Sequence, residues 1–533
     1  MSISPNPAWR ASADYAEDVK PDDKTLLQPW ACFGRFASQV LQMGYGEKGR
    51  IKYEQFEVAM GNFIKYLIFS LLCLVVIGIL IYQYSDNAKK KVQLHALDVV
   101  NDLATNRTKK KAENGTTSVA AEFINLPIEA SKVADGVFRV TGIGNIYMVT
   151  TEVGNVLFDT GLVMQVPKQI AAMKEVVQDI KLSHIILSHS HADHIGGVKY
   201  WREEGVEIIA HKQFTEEQRY LKALEPYLHN RNRLLFPFMP EKPPTAEMFA
   251  YGGITPTLTV KEGDSYRLEL GGKVMEIYAM AGAEGADNVV LWLPEQKALL
   301  SGDFFGPMFP QFPNVFTMRG EKIRKPIEYI KSLNRLIEMA PEVILPGHLD
   351  PVRGEEKIVA GLTKMRDAVQ YVHDETIAGM NSGKSLYQLM ETISLPPELE
   401  LSQAHGRVSW AVKSIWEYYA TWFHFDRTTE LYGVDRSDVM PSVVALAGVD
   451  ALLDKARSFN KTGQPVHAMH IIEILLADPK QASDPSVNKV RLEALKILLD
   501  EAINGIANSY EIYWLNAQIR LAEGAIAEEV EAP

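Results

Sequence analysis

His184–Gly197 reads HIILSHSHADHIGG, and it decides how the rest of the chain is understood. A short apolar, β-branched run leads up to Ser188 and predicts a strand. Four metal-binding side chains follow within six residues: His189, His191, Asp193 and His194. Gly196 and Gly197 come next, and they predict a tight backbone turn. Imidazole nitrogen and carboxylate oxygen are the donors that hold zinc. The H-x-H-x-D-H spacing sets two imidazoles on one side and an Asp–His pair on the other, so it can feed two adjacent cations. A polar surface loop with chance histidines has no reason to concentrate four ligand types at one strand end.

Two cations need further ligands, and other predicted strand ends supply them. VLFDTG carries Asp159, AGAEGADN carries Glu284, LLSGDF carries Asp303 and LPGHLDP carries His348. No histidine lies between His229 and His348. A third ligand for the first cation drawn from that region is therefore an acid. Glu284, in a loop between two predicted strands, is the choice, and Asp303, ending a strand, is placed to bridge.

Strand-like and helix-like stretches alternate from about residue 126, which predicts α/β layers. GVFRVTG, NIYMVTTEVGNVLFDTG, KVMEIYAMAG and EVILPGH read as strands; MQVPKQIAAMKEVVQDI and KPIEYIKSLNRLIEMA read as helices. From about 356 onward nearly everything is helical, with two helix-pair units near 449–478 and 487–523 of the tetratricopeptide type. The expected organisation is a polar segment at 1–61, a transmembrane helix at 62–84, a stem and linker at 85–125, a catalytic domain at 126–355 and a helical domain at 356–533.

The membrane expectation rests on Tyr66–Tyr84, an uncharged run long enough to span a bilayer. It predicts a single-pass membrane protein. Basic residues flank both ends, so the positive-inside rule selects no orientation. A signal peptide fits poorly that far from the first residue. The net charge of −12 argues against a nucleic-acid partner. The only cysteines, Cys32 and Cys73, leave the rest of the chain without a disulfide or thiolate metal site.

H-x-H-x-D-H with Gly-Gly after it, DTG before it and SGD and GH downstream resembles the metallo-β-lactamase superfamily. The resemblance implies a four-layer αβ/βα sandwich with a metal cleft at the strand ends. Its alkyl sulfatase branch is similar in finer detail. That branch takes a glutamate from TEAP as a ligand, bridges with an acid at a set spacing and binds sulfate through the arginine of NLLTLRG. Here Glu284 and Asp303 are 19 positions apart, and NVFTMRG runs from Asn314 to Gly320. GRVSWAVKSIWEYYATWF resembles the branch's dimerisation domain, and the likeness extends over roughly 126 to 523.

The resemblance implies two zinc ions per chain. His189, His191 and Glu284 would hold one, and Asp193, His194 and His348 the other. Asp303 would bridge, with Asp159 orienting a ligand. Asp193 and Arg319 would take part in catalysis, and Arg319 with Asn314 would bind substrate. The chain departs from the branch in having Asp303 rather than glutamate, and in having Trp410 and Ala411 where the branch has His-Asn. His405 and His424 lie nearby in sequence. The leading expectation is a membrane-anchored dizinc hydrolase of amphiphilic sulfate esters, working as a homodimer. Hydrolysis of a lactone, thioester or phosphodiester on the same scaffold is the alternative, and Trp410 favours it. A non-catalytic membrane scaffold is the third reading.

Overall fold

A computed structural model describes residues 85–113, 126–236, 239–243, 252–282 and 284–530, with Lys65, Leu71 and Val75 upstream. The chain divides into two units, Met1–Asp86 and Asn87–Pro533, and the fold below is that of the second.

Two mixed sheets form its centre. The first holds β1 (Ala130–Ala134), β2 (Val137–Val140), β3 (Ile146–Val149), β4 (Asn155–Phe158), β5 (Leu182–Ile186), β6 (Glu207–His211) and β7 (Leu258–Val260), side by side in sequence order. The second holds β8 (Ser265–Leu270), β9 (Lys273–Ala279), β10 (Val289–Leu293), β11 (Ala298–Gly302), β12 (Val343–Pro346) and β13 (Val352–Arg353), also in order. Strands β4 to β7 pair in parallel, as do β11 and β12. Parallel neighbours need crossovers, and helices provide them.

The two-residue period of the strands dictates the layers. Along β10, Val289, Leu291 and Leu293 join a core shared by both sheets, while Val290 and Trp292 face the opposite way into a helical layer. In β3, Tyr147 and Val149 enter the shared core; Ile146 and Met148 pack against helices outside the first sheet. Both faces of each sheet are therefore buried, which is why these strands read as continuous apolar runs. The result is the expected four-layer sandwich, followed by a helical region.

That region begins against the sandwich. Helices Pro326–Met339, Glu355–Asn381 and Val408–Ala420 share one apolar cluster with Val290, Trp292, Leu299 and Ile344 of the second sheet. Beyond it, Val449–Lys461 packs with Pro465–Leu476, and Pro485–Asn504 with Ser509–Val530. Asp484 caps the third of these helices by accepting from the backbone N–H groups of Ser486 and Val487.

The membrane-spanning expectation is corrected. No helix among the described residues is long and apolar enough to cross a membrane. Apart from three isolated positions, the run at 62–84 lies outside the described residues. The helix that follows, Asp86–Glu113, is rich in lysine, aspartate and asparagine. Its Leu97 is buried in the helical layer outside the first sheet. The single-pass location and the membrane contact inferred from that run are withdrawn with it.

Candidate metal centre

The predicted ligands collect where strands end. β4 runs into Asp159, β5 into Ser188 and His189, β11 into Asp303 and β12 into His348. His191 caps the short helix Ala192–Ile195, which carries Asp193 and His194. Gly196 and Gly197 take ordinary helical φ values of −58° and −90°, so a turn conformation is not what they supply. They allow close approach instead: a Cβ on Gly197 would lie 2.1 Å from the Thr160 carbonyl oxygen. Gly347 is needed for the same reason, because a Cβ there would fall 2.2 Å from Asp303 Oδ1.

Two groups of donor atoms result. Asp193, His194, Asp303 and His348 each bring one ligand-type atom within 4.8 Å of the others, and so do His189, His191 and Asp303. Asp303 belongs to both, as a bridging acid would. His348 Nε2 is 2.9 Å from Asp303 Oδ2 and 3.5 Å from Asp193 Oδ2. His194 Nε2 is 3.3 Å from Asp303 Oδ2 and 3.5 Å from Asp193 Oδ2. His189 Nε2 and His191 Nδ1 approach to 2.7 Å.

Each imidazole is held from behind through its other nitrogen. His194 Nδ1 donates to Asp159 Oδ2 at 2.8 Å. Asp159 also accepts from the Ser188 backbone N–H and hydroxyl, both at 2.7 Å. With its proton on Asp159, the Ser188 oxygen accepts from His189 Nδ1 at 3.0 Å. His191 Nε2 lies 3.2 Å from Glu321 Oε1, and His348 Nδ1 donates to the Ile143 carbonyl. These contacts fix the outer nitrogens and turn the inner ones inward, those of His194 and His348 toward Asp303 and Asp193 and those of His189 and His191 toward each other. Burial opposes charge on His194, but Asp303, Asp193 and Asp159 raise its pKa well above the usual histidine range. His194 Nε2 and Asp303 Oδ1 are buried without a hydrogen-bond partner among the described residues. Nitrogen and oxygen lone pairs converging in this way fit divalent cations.

Glu284 sits differently. It is absent from both groups, and its carboxylate is gripped by arginines. Oε1 pairs with Arg319 Nη2, and Oε2 lies 2.8 Å from Arg324 Nη1. Burial alone would raise its pKa, but Arg324, Arg319 and His405 hold it well below the usual carboxylate range. Arg319 Nε is 3.2 Å from Glu321, and its guanidinium stands 6.0 Å from the Tyr510 ring. The Asn314 carboxamide nitrogen is buried and unpartnered among the described residues, and Asn314 lines a small cavity with Glu284, Gly306 and Arg324. Trp410 packs beside Leu235, Tyr510 and Tyr513, and Ala411 is buried in the second sheet's helical layer. His424 lies 3.1 Å from both Glu417 and Glu430, outside the donor groups.

Sequence reasoning missed Ser188, Glu321, Arg324 and Tyr510. The alternating charges of Arg319, Glu321 and Arg324 were a signal for two of them, since such a run beside a metal motif balances buried charge. Nothing local marks Tyr510, which arrives from the last helix.

Residues 139–348 match the metallo-beta-lactamase superfamily, and residues 386–516 match the alkyl sulfatase dimerisation family. The chain carries a metallo-beta-lactamase domain joined to an alkyl sulfatase dimerisation domain. Similar curated proteins include a linear primary-alkylsulfatase from Pseudomonas, 28% identical over 330 residues, covering 56% of this chain and 60% of that one. The alkyl/aryl-sulfatase BDS1 of Saccharomyces cerevisiae is 23% identical over 377 residues, covering 65% and 58%. Among solved structures, the stereoselective inverting sec-alkylsulfatase Pisa1 from Pseudomonas superposes with a TM-score of 0.64 at 20% identity, covering 76% of this chain and 67% of that one; this likeness concerns the fold. The chain spans about three-fifths of the length of the curated relatives it matches.

Proposed function

We propose that the chain is a metal-dependent hydrolase of the alkyl sulfatase type, acting on sulfate esters of alkyl or amphiphilic alcohols. The observation that carries this reading is the set of four imidazoles, each committed at one nitrogen to an outer partner and aimed with the other at Asp193, Asp303 or a neighbouring ring. A chance histidine cluster has no use for such outer support.

In this reading His189, His191 and Glu284 hold one cation, and Asp193, His194 and His348 hold the second, with Asp303 between them. A donor set of nitrogen and oxygen without thiolate suits zinc. Two such ions, when bound, supply Lewis acidity and make water acidic enough to act as a nucleophile at neutral pH. The chain does the rest. Asp159 and Ser188 hold the proton on the outer nitrogens of His194 and His189. Asp193 contributes its carboxylate to the second cation. Arg319 offers a planar fork of donors to a tetrahedral anionic head, and Asn314 adds an amide N–H. The names of the relatives supply the sulfate ester.

A homodimer through the helical region belongs to the same reading. Trp422, Phe425, Tyr432 and Val434 are exposed and lie within the stretch that matches the alkyl sulfatase dimerisation family. Hydrolysis of another ester class is the second reading. The engagement of Arg319 with Glu284 and Glu321, which compete with a substrate anion, favours it.

Metal content and product release from the purified protein test the proposal. Dodecyl sulfate, a lactone and a phosphodiester are compared, with His191→Ala as control. Two ions per chain and sulfate release lost in His191→Ala support it. Two ions without sulfate release move the substrate to another ester, and no bound metal removes the hydrolase reading.

A further inference from the structure

His405 lies against Glu284, yet the reading above leaves it without a task. It sits in the loop leading into the helix Val408–Ala420. That loop is clamped from two sides. The Phe312 N–H donates to the Ser402 carbonyl at 2.9 Å, and Asn508 Nδ2 donates to the carbonyls of Gln403 at 2.8 Å and His405 at 3.1 Å. Gly406 packs so closely on Pro313 that a Cβ would lie 2.3 Å from its carbonyl oxygen. The imidazole is buried, with its ring centre 5.2 Å from that of Tyr510.

Its Nε2 is buried and makes no hydrogen bond to a described residue. Glu284 Oε2 stands 3.7 Å away. A buried donor left unpaired destabilises the fold, a cost that a leucine in the same space would not carry. Less than about 1 Å of movement brings the pair to an ordinary N–H···O length near 2.9 Å. Arg324 holds the same Oε2, while Oε1 faces Arg319. Both arginines also reach Glu321, but Arg319 meets the Oε1 that lies 3.2 Å from His191 Nε2 while Arg324 meets the Oε2, so Glu284 Oε1 is on the arginine nearer the histidine.

We propose that His405 is a positioning residue for Glu284, donating from Nε2 to Oε2 and thereby fixing the carboxylate rotamer that presents Oε1 to the first cation. The neutral Nε2–H tautomer suffices. The inference rests on Glu284 being a ligand of that cation, and it makes the helical domain a contributor to the metal site.

The test uses the purified full chain with His405→Leu, His405→Gln and Glu284→Gln, read by zinc stoichiometry, zinc affinity under chelator competition, the absorption spectrum of the cobalt-substituted protein and the thermal midpoint. His405→Leu is expected to fold, keep the second site and lose about 10- to 100-fold in affinity at the first, with a changed cobalt spectrum. His405→Gln, which keeps an N–H donor, recovers most of that loss. If His405→Leu unfolds, His405→Phe, which keeps a planar ring against Tyr510, replaces it. Wild-type affinity in the apolar variant, or a glutamine variant as weak as the apolar one, overturns the proposal. Glu284→Gln separates the two levels. If it leaves both sites unchanged, the ligand assignment itself fails. If it loses the first site while His405→Leu does not, only the positioning role fails.

Discussion

Asp159→Asn tests the tautomer argument with little disturbance of shape. Asp159 is fully buried and accepts three hydrogen bonds, from the Ser188 N–H, the Ser188 hydroxyl and His194 Nδ1. Its φ of 60° is left-handed, a conformation that asparagine tolerates as well as aspartate does. The amide has one oxygen for three donors. With its oxygen on the Ser188 N–H, its NH₂ meets His194 Nδ1–H. The imidazole escapes that clash only by moving its proton to Nε2, which surrenders the lone pair aimed at Asp303. With the amide flipped, the NH₂ meets a backbone N–H that cannot turn away, at a cost of about 1–3 kcal/mol. Loss of an outer partner of this kind lowers metal affinity about 10- to 100-fold, or roughly 1.4–2.8 kcal/mol at about 1.4 per decade. Chelator competition on the folded variant measures it, with circular dichroism confirming the fold. Zinc affinity within about twofold of wild type would refute the claim that Asp159 sets the His194 tautomer.

Chelation is expected to lower the thermal midpoint and added zinc to restore it; ions at about 1,000 times their dissociation constant contribute about 4 kcal/mol, so a midpoint indifferent to chelator counts against the site. Gly347→Ala drives a Cβ to 2.2 Å from Asp303 Oδ1, and metal content of the purified variant should fall well below wild type. Burial lowers the His211 pKa from 6.5 to about 4, so the unfolded chain binds this proton more readily than the folded one. The associated stability is complete above pH 6.5 and is lost between there and about pH 4. Denaturant titrations should show wild type losing about 3 kcal/mol more than His211→Asn across that interval, and parallel curves would reject the assignment.

The donor groups were legible because metals demand particular residue types at fixed spacings, and H-x-H-x-D-H cannot easily mean something else. The strands were legible because both faces of each sheet are buried. Glu284 shows where sequence stops: its partners Arg319 and Arg324 lie 35 and 40 positions downstream, and only the folded loop discloses that they share one carboxylate. His405 lies 121 positions beyond Glu284, directly before GRVSWAVKSIWEYYATWF, and nothing in the sequence ties it to that acid. Gly196 and Gly197 were rightly noticed for the wrong reason, since clearance and not dihedral freedom explains them. The membrane expectation rested on the hydropathy of 62–84 alone, and no helix among the described residues is long and apolar enough to cross a membrane.

The two sheets are stitched together beside the metal centre by bonds that span most of the sandwich. The Asn145 N–H donates to the Gly347 carbonyl at 2.7 Å, Tyr147 Oη donates to the Pro346 carbonyl at 2.7 Å, and His348 reaches back to Ile143. Each closes a loop of about 200 residues, and closure over such separations comes late because its entropy is lost before any contact repays it. During synthesis, His189, His191, Asp193 and His194 leave the ribosome long before Asp303 and His348. The growing chain therefore passes through a stage with four of its six donors made and the other two absent, and the complete cradle waits for the second sheet to close on the first.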